Sequence, residues 1–171
     1  MKLDGGIEIA APMADVWKLI VDPVGLSACV PGVSDVRQVD DRTFEGSISA
    51  AVGPVEGQFS FRSVLARASF PDDLAVEVVG VDSITNSRLI ATVEVALAER
   101  GTNATTLAYR ATVTVKGRLA IVGDMILRAT ASLMITQVTR CLRSRLEPVR
   151  AGAAASVEAT GPGRPPGTPS G

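Results

Sequence analysis

The chain contains no histidine, and that absence narrows the chemistry open to it. Without an imidazole there is no Ser-His-Asp or Cys-His relay, no histidine metal ligand and no base whose ordinary pKa lies near seven. Catalysis would have to run on carboxylates, lysine, a thiol or the single tyrosine, Tyr109. Asp22, Asp35, Asp40 and Asp41 form no pair with metal-ligand spacing, and no Cys-x-x-Cys, P-loop or Gly-x-Gly-x-x-Gly occurs. The two cysteines, Cys29 and Cys141, are too few for a disulfide framework. The N-terminal residues carry no apolar run of secretory type. A cytoplasmic, reducing location is therefore expected, with both thiols as small buried apolar groups.

Charge excludes a further class. Seventeen Lys and Arg stand against eighteen Asp and Glu, a net charge of −1, so binding of nucleic acid through bulk positive charge is not expected. The stretch from Lys116 to Arg150 departs from that balance. It holds Lys116, Arg118, Arg128, Arg140, Arg143, Arg145 and Arg150 against Asp124 and Glu147. Bases near a helix C-terminus either complement its dipole or face anionic lipid headgroups. The chain is 46% apolar with a mean hydropathy of +0.28, yet no run approaches the ~20 apolar residues of a membrane span. The apolar excess belongs inside the domain or on a surface that meets lipid.

At 171 residues the chain suits one domain. A short strand is expected over 3–9, a helix opened by Ala11-Pro12 and stopped at Asp22-Pro23, and a second short helix or turn over 24–28. Strands then follow at 33–39, 44–52, 55–65, 74–80, 89–97 and 107–115, alternating apolar and polar residues and separated mostly by turn dipeptides such as Gly53-Pro54. After Gly117 the period changes to about 3.6. Leu119, Val122, Ile126, Ala129, Leu133, Val138 and Leu142 predict one long helix ending near Leu146. Ala151 to Gly171 hold five Gly and four Pro, a flexible linker composition.

The strand faces alternate bulky residues with Gly46, Ala50, Gly57, Gly80, Ala91 and Ala111. Two readings remain open: glycines that let the sheet curl around a filled core, and small residues that line a hollow for a long apolar ligand. Tyr109 and Ser63 are candidate polar anchors, although a buried tyrosine commonly just satisfies its own hydroxyl.

The order strand, two short helices, six-strand meander and long C-terminal helix resembles the helix-grip fold of START-like (SRPBCC) lipid-binding domains. Ala11-Pro12 with Val16-Trp17, then Asp22-Pro23 through Cys29-Val30-Pro31-Gly32, then Val52-Gly53-Pro54-Val55-Glu56-Gly57, Leu107-Ala108-Tyr109 and Val115-Lys116-Gly117-Arg118-Leu119-Ala120 are similar to the carbon monoxide dehydrogenase G-subunit family. The chain departs from that pattern at 81–87 and at Met134-Ile135-Thr136-Gln137.

The resemblance implies an α+β fold: a curved antiparallel seven-stranded sheet wrapped around a long C-terminal helix, with two short helices after the first strand. Residues 1–147 would form the ligand-binding domain, and 148–171 a Pro/Gly/Ala-rich linker of the kind that leads to a membrane-anchoring segment absent from this chain. It also implies an accessory protein of the aerobic molybdenum carbon monoxide dehydrogenase complex, at the inner face of the cell membrane. Joined to the apolar interior, this points to a non-covalently held isoprenoid quinone, menaquinone, as ligand. The residues expected to line its site are Phe59, Phe61, Leu65, Val76, Val78, Val93, Tyr109, Val113, Met125, Ile126, Ala129 and Leu133. A membrane-recruitment adaptor without a specific ligand is the competing expectation. An enzyme, as in cyclases of similar fold, is the third.

Overall fold

A computed structural model describes residues 1–147; the expected linker over 148–171 lies outside the described residues. Strand β1 (Lys2–Ile9) is followed by helices α1 (Met13–Ile20) and α2 (Pro23–Ser27). Six strands come next: β2 (Val33–Gln38), β3 (Thr43–Val52), β4 (Val55–Ser69), β5 (Asp73–Asp82), β6 (Ser87–Glu99) and β7 (Thr105–Lys116). A 3-10 turn (Arg118–Val122) and helix α3 (Asp124–Leu146) complete the described chain. The strands form one antiparallel sheet in the order β1-β7-β6-β5-β4-β3-β2. A meander with β1 closing onto β7 is what the alternating pattern and its turns require.

Local chemistry explains the boundaries. Pro12 precedes α1 and its carbonyl accepts from the Asp15 and Val16 N–H groups; Val16 and Ile20 are then buried. The Asp22 carboxylate accepts the Val24 N–H at 3.2 Å and so caps α2. At the far end of β5, Asp82 is 1% exposed and accepts from the Gln58, Ile84 and Thr85 N–H groups at 3.1, 2.8 and 3.3 Å. It ties the β5–β6 turn to the start of β4.

Two expectations need correction. The long helix is not continuous from Leu119, because Gly123 sits at φ +87° and separates the 3-10 turn from α3. A left-handed residue interrupts the α-helical hydrogen-bond ladder. Gly117 sets the turn itself: it also has φ +87°, and any Cβ there would overlap the Asn86 carbonyl oxygen.

The cysteines, expected as separate buried thiols, form a disulfide between the turn after α2 and the last third of α3, with 5.3 Å between the Cα atoms. Two cysteines 112 positions apart give no sequence signal of proximity; the packing of that turn against α3 supplies it. Disulfides persist in oxidising compartments, so the pairing removes the ground on which a reducing location was expected. No helix among the described residues is long and apolar enough to cross a membrane.

Closing so long a loop constrains the unfolded chain. Replacing both cysteines by serine should therefore lower stability by about 2–4 kcal/mol. Urea unfolding with and without reductant checks it: reductant should destabilise the wild type and leave the double variant unchanged.

Asp82 gives a second test. The Gln58 N–H, followed by the Thr85 hydroxyl and the Ile84 and Thr85 N–H groups, holds its carboxyl below the ordinary aspartate value, against an opposing effect of burial. A depressed folded pKa contributes stability above the unfolded value of about 3.9 and loses it as the pH falls through the folded value. Asp82→Asn should lower the thermal midpoint at neutral pH. Its deficit should shrink as the pH drops below about 4; a deficit independent of pH would assign Asp82 no ionic role.

Candidate functional site

Strand register arranges the sheet residues that face α3 into rows. Phe61 stands opposite Gly80, Gly80 opposite Leu89, and Leu89 opposite Val115. The next row is Ser63, Val78, Ala91 and Val113, and the one after it Leu65, Val76, Val93, Ala111 and Leu3. A fourth runs Leu74, Val95, Tyr109 and Gly5. None of these side chains is charged, since the period of two sends Arg62, Glu77, Glu94 and Arg110 to the other face.

Two packed clusters hold α3 against this face. One gathers Ile7, Ile9, Val16, Ile20, Leu74, Leu97, Leu107 and Leu142, with Val138 and Leu146 against them. The other is smaller: Val52, Phe59 and Leu119 are buried, with Leu89, Val115, Ile126 and Leu127 beside them. Phe61, Val76, Val78, Val93 and Val113 belong to neither cluster and are only half-buried. The closest approaches of α3 to the sheet are at β1 and β3, on either side of its middle. Between the clusters, the middle of the sheet therefore presents an uncharged, mostly aliphatic strip of half-buried side chains.

The residues expected to line a site divide into three groups. Phe61, Val76, Val78, Val93 and Val113 form the strip, and Leu65 and Tyr109 adjoin it where they pack on the larger cluster. Phe59 (5% exposed) and Ile126 sit inside the smaller cluster, so they are packing residues. Met125, Ala129 and Leu133 lie on the exposed side of α3, Met125 and Leu133 at 83% and 65% exposure. The apolar stripe expected from the sequence is rotated in the structure, because α3 carries apolar residues on its outward side as well.

The residues missed are Thr130, Ala131 and Met134, all half-buried. Steps of four from Ile126 toward Val138 place Thr130 and Met134 on the sheet side of α3. The small residues also have a use not expected: Gly57 and Gly80 seat the Phe59 ring, Gly46 seats Phe61, and Gly5 lies under the Tyr109 hydroxyl. A Cβ at Gly5 or Gly46 would overlap those rings.

The strip has no acid–base pair, and its polar groups are the Ser63, Tyr109 and Thr130 hydroxyls. The Thr130 hydroxyl donates to the Ile126 carbonyl oxygen at 2.9 Å. Among the described residues no cluster of metal-ligating side chains occurs. Such a surface can bury an apolar molecule and orient one or two polar groups on it.

Two concavities of about 380 and 810 Å³ are lined mainly by residues of the opposite face; Gly5, Leu74, Val95 and Tyr109 border the smaller and Gly46 and Phe61 the larger. Each contains an ion-paired cluster, Arg67 between Asp73 and Glu94 in the first, and Glu45 between Arg37 and Arg62 in the second.

The sequence model of a family described as the carbon monoxide dehydrogenase G subunit (CoxG) matches residues 5–147. No curated protein matches the chain. Among solved structures, a conserved protein from Geobacillus kaustophilus superposes with a TM-score of 0.80 at 20% identity, over 86% of this chain and 96% of that one. A START superfamily protein from Mycobacterium smegmatis gives 0.63 at 12% identity, covering 86% and 98%. The Zhui aromatase/cyclase from Streptomyces sp. R1128 gives 0.62 at 12%, covering 86% and 93%. At these identities the likeness establishes the fold: α+β, helix-grip, START-like.

The placement of α3 can be checked by tryptophan scanning. Met134→Trp should emit at shorter wavelength than Met125→Trp and be quenched less by iodide. Equal quenching would put Met134 in solvent and remove the helix from the strip.

Proposed function

Because the chain belongs to the carbon monoxide dehydrogenase G-subunit family, we propose that it is a non-catalytic accessory protein that carries a respiratory quinone for the aerobic molybdenum carbon monoxide dehydrogenase. The ligand, menaquinone, lies between the sheet and α3. The protein works peripherally at the cell membrane, where it recruits or couples the dehydrogenase. The observation that carries this reading is the uncharged, half-buried strip of Phe61, Val76, Val78, Val93 and Val113 between two packed clusters.

The chemistry fits the ligand class. Oxidation of carbon monoxide with water yields carbon dioxide, two protons and two electrons, and a quinone takes up two electrons and two protons to become a quinol. Quinones with isoprenoid tails reside in the bilayer, so a soluble oxidase needs a carrier or a docking device. Burying aliphatic surface contributes roughly 25 cal/mol per Å², and an isoprenoid tail is aliphatic along its length. Ser63 and Tyr109 lie within the rows that bound the strip and offer hydroxyls to the ring carbonyls. No step of this function asks the protein to transfer a proton, which suits a chain without histidine.

Mass spectrometry of an organic extract of the native-source protein tests the reading. A stoichiometric isoprenoid quinone is expected. Background phospholipid alone would leave the family's adaptor role without a specific ligand. Met134→Trp, placed on the sheet side of α3, should reduce quinone loading several-fold, whereas Leu133→Trp on the exposed side should not.

A further inference from the structure

One end of the molecule gathers the β3–β4 turn, the β5–β6 turn, the end of β7, the 3-10 turn and the start of α3. These pieces are tied together. The Leu119 N–H donates to the Ser87 hydroxyl oxygen at 2.9 Å, joining the 3-10 turn to the β5–β6 turn, and Gly53 in the β3–β4 turn abuts Ile126 of α3. From this end project Ile84, Ile121 and Met125, at 79%, 82% and 83% exposure. Side chains of this size so exposed are not compensated by any contact in the fold.

The charges around them are predominantly basic. Arg88 and Lys116 are neighbours across β6 and β7, Arg118 opens the 3-10 turn, and Arg128 donates to the Lys2 carbonyl oxygen at the start of β1. Lys2, Arg88, Lys116, Arg118 and Arg128 are all exposed. Three acids share this end: Glu56, Asp124, which faces Arg128 at 3.9 Å, and Asp82, which is buried under three N–H donors. The loops at the opposite end carry Asp40, Asp41, Asp72, Asp73 and Glu99 against Arg42 and Arg100, and the C-terminal end of α3 adds Arg140, Arg143 and Arg145 there. Of the basic residues late in α3, Arg140 is exposed and the next two have a structural use. Arg143 and Arg145 donate to the Glu8 and Gly25 carbonyl oxygens and so fasten the helix.

We infer that this end docks on an anionic phospholipid surface, with Ile84, Ile121 and Met125 entering the headgroup–acyl boundary and the five basic side chains meeting the headgroups. Separate aliphatic projections within a basic rim suit a fluid interface. A protein interface is built instead around packed aromatic anchors, and the six aromatic residues of the chain, Trp17, Phe44, Phe59, Phe61, Phe70 and Tyr109, lie elsewhere or are packed inside. This inference deepens the membrane-facing half of the proposed function and rests on it.

Co-sedimentation of the full chain with phosphatidylcholine vesicles, with and without phosphatidylglycerol, tests it. The wild type should sediment with the anionic vesicles and be released by salt. Ile121→Ser with Met125→Ser should lower partitioning by about tenfold or more. Lys116→Gln with Arg118→Gln should abolish the preference for phosphatidylglycerol. Val24→Ser, which alters a 61% exposed apolar residue at the opposite end, should bind as the wild type does. Both double variants change exposed groups, and an unchanged thermal midpoint certifies their fold. If they sediment like the wild type, the docking surface lies elsewhere while membrane association stands. If the wild type itself fails to sediment with either vesicle, the membrane reading falls and this inference with it.

Discussion

Helix α3 is fastened to the sheet at its two ends by different means, and the space along its middle follows from that. At its C-terminal end Leu142 is buried in the larger cluster, Cys141 is bridged to Cys29, and Arg143 and Arg145 reach backbone carbonyls of β1 and α2. At its N-terminal end the hold is Ile126 and Leu127 against Val52, Phe59 and Leu119. The residues between, Thr130, Ala131 and Met134, are only half-buried, as are the valines of β5, β6 and β7 in the middle of the sheet. A chain that placed phenylalanines there would close the gap and gain burial energy. This one leaves aliphatic surface half-wet, a loss that a bound apolar ligand would recover.

The same division governs charge. On the face of the sheet away from α3, arginines and carboxylates pair with one another in Arg37–Glu45–Arg62 and Arg67–Asp73–Glu94. Such exposed pairs contribute little to stability, but they leave that face with no strong field.

Most of the sheet was legible in the sequence because strand alternation is a strong signal. Phe61, Val76, Val78, Val93 and Val113 could be assigned to one face from period alone, and the register puts them in adjacent rows. The helix side of the site was not legible in the same way. Met125, Ala129 and Leu133 continue an apolar line every four residues, and only the position of Leu142 in the larger cluster shows that the neighbouring line faces inward. The break at Gly123 was hidden because a glycine inside a helical pattern also occurs in helices. The Cys29–Cys141 bridge was hidden because it joins the turn after α2 to α3, and no local rule specifies how those pieces pack.

The asymmetry between the two clusters bears on how a ligand could enter. Separating α3 from the sheet at its C-terminal end would expose the larger cluster and break the Arg143 and Arg145 contacts while the disulfide still held. At the other end only Val52, Phe59 and Leu119 are fully buried, and the chain there already contains two left-handed glycines, Gly117 and Gly123, on either side of the 3-10 turn. Local opening follows the region with the least buried apolar contact, so the N-terminal end of α3 yields first. That is also the end that carries Ile84, Ile121, Met125 and the basic rim. On the proposed docking, a ligand drawn from a bilayer would pass from lipid to the strip without crossing water, because the proposed docking surface and the weakest seam of the grip are in the same place.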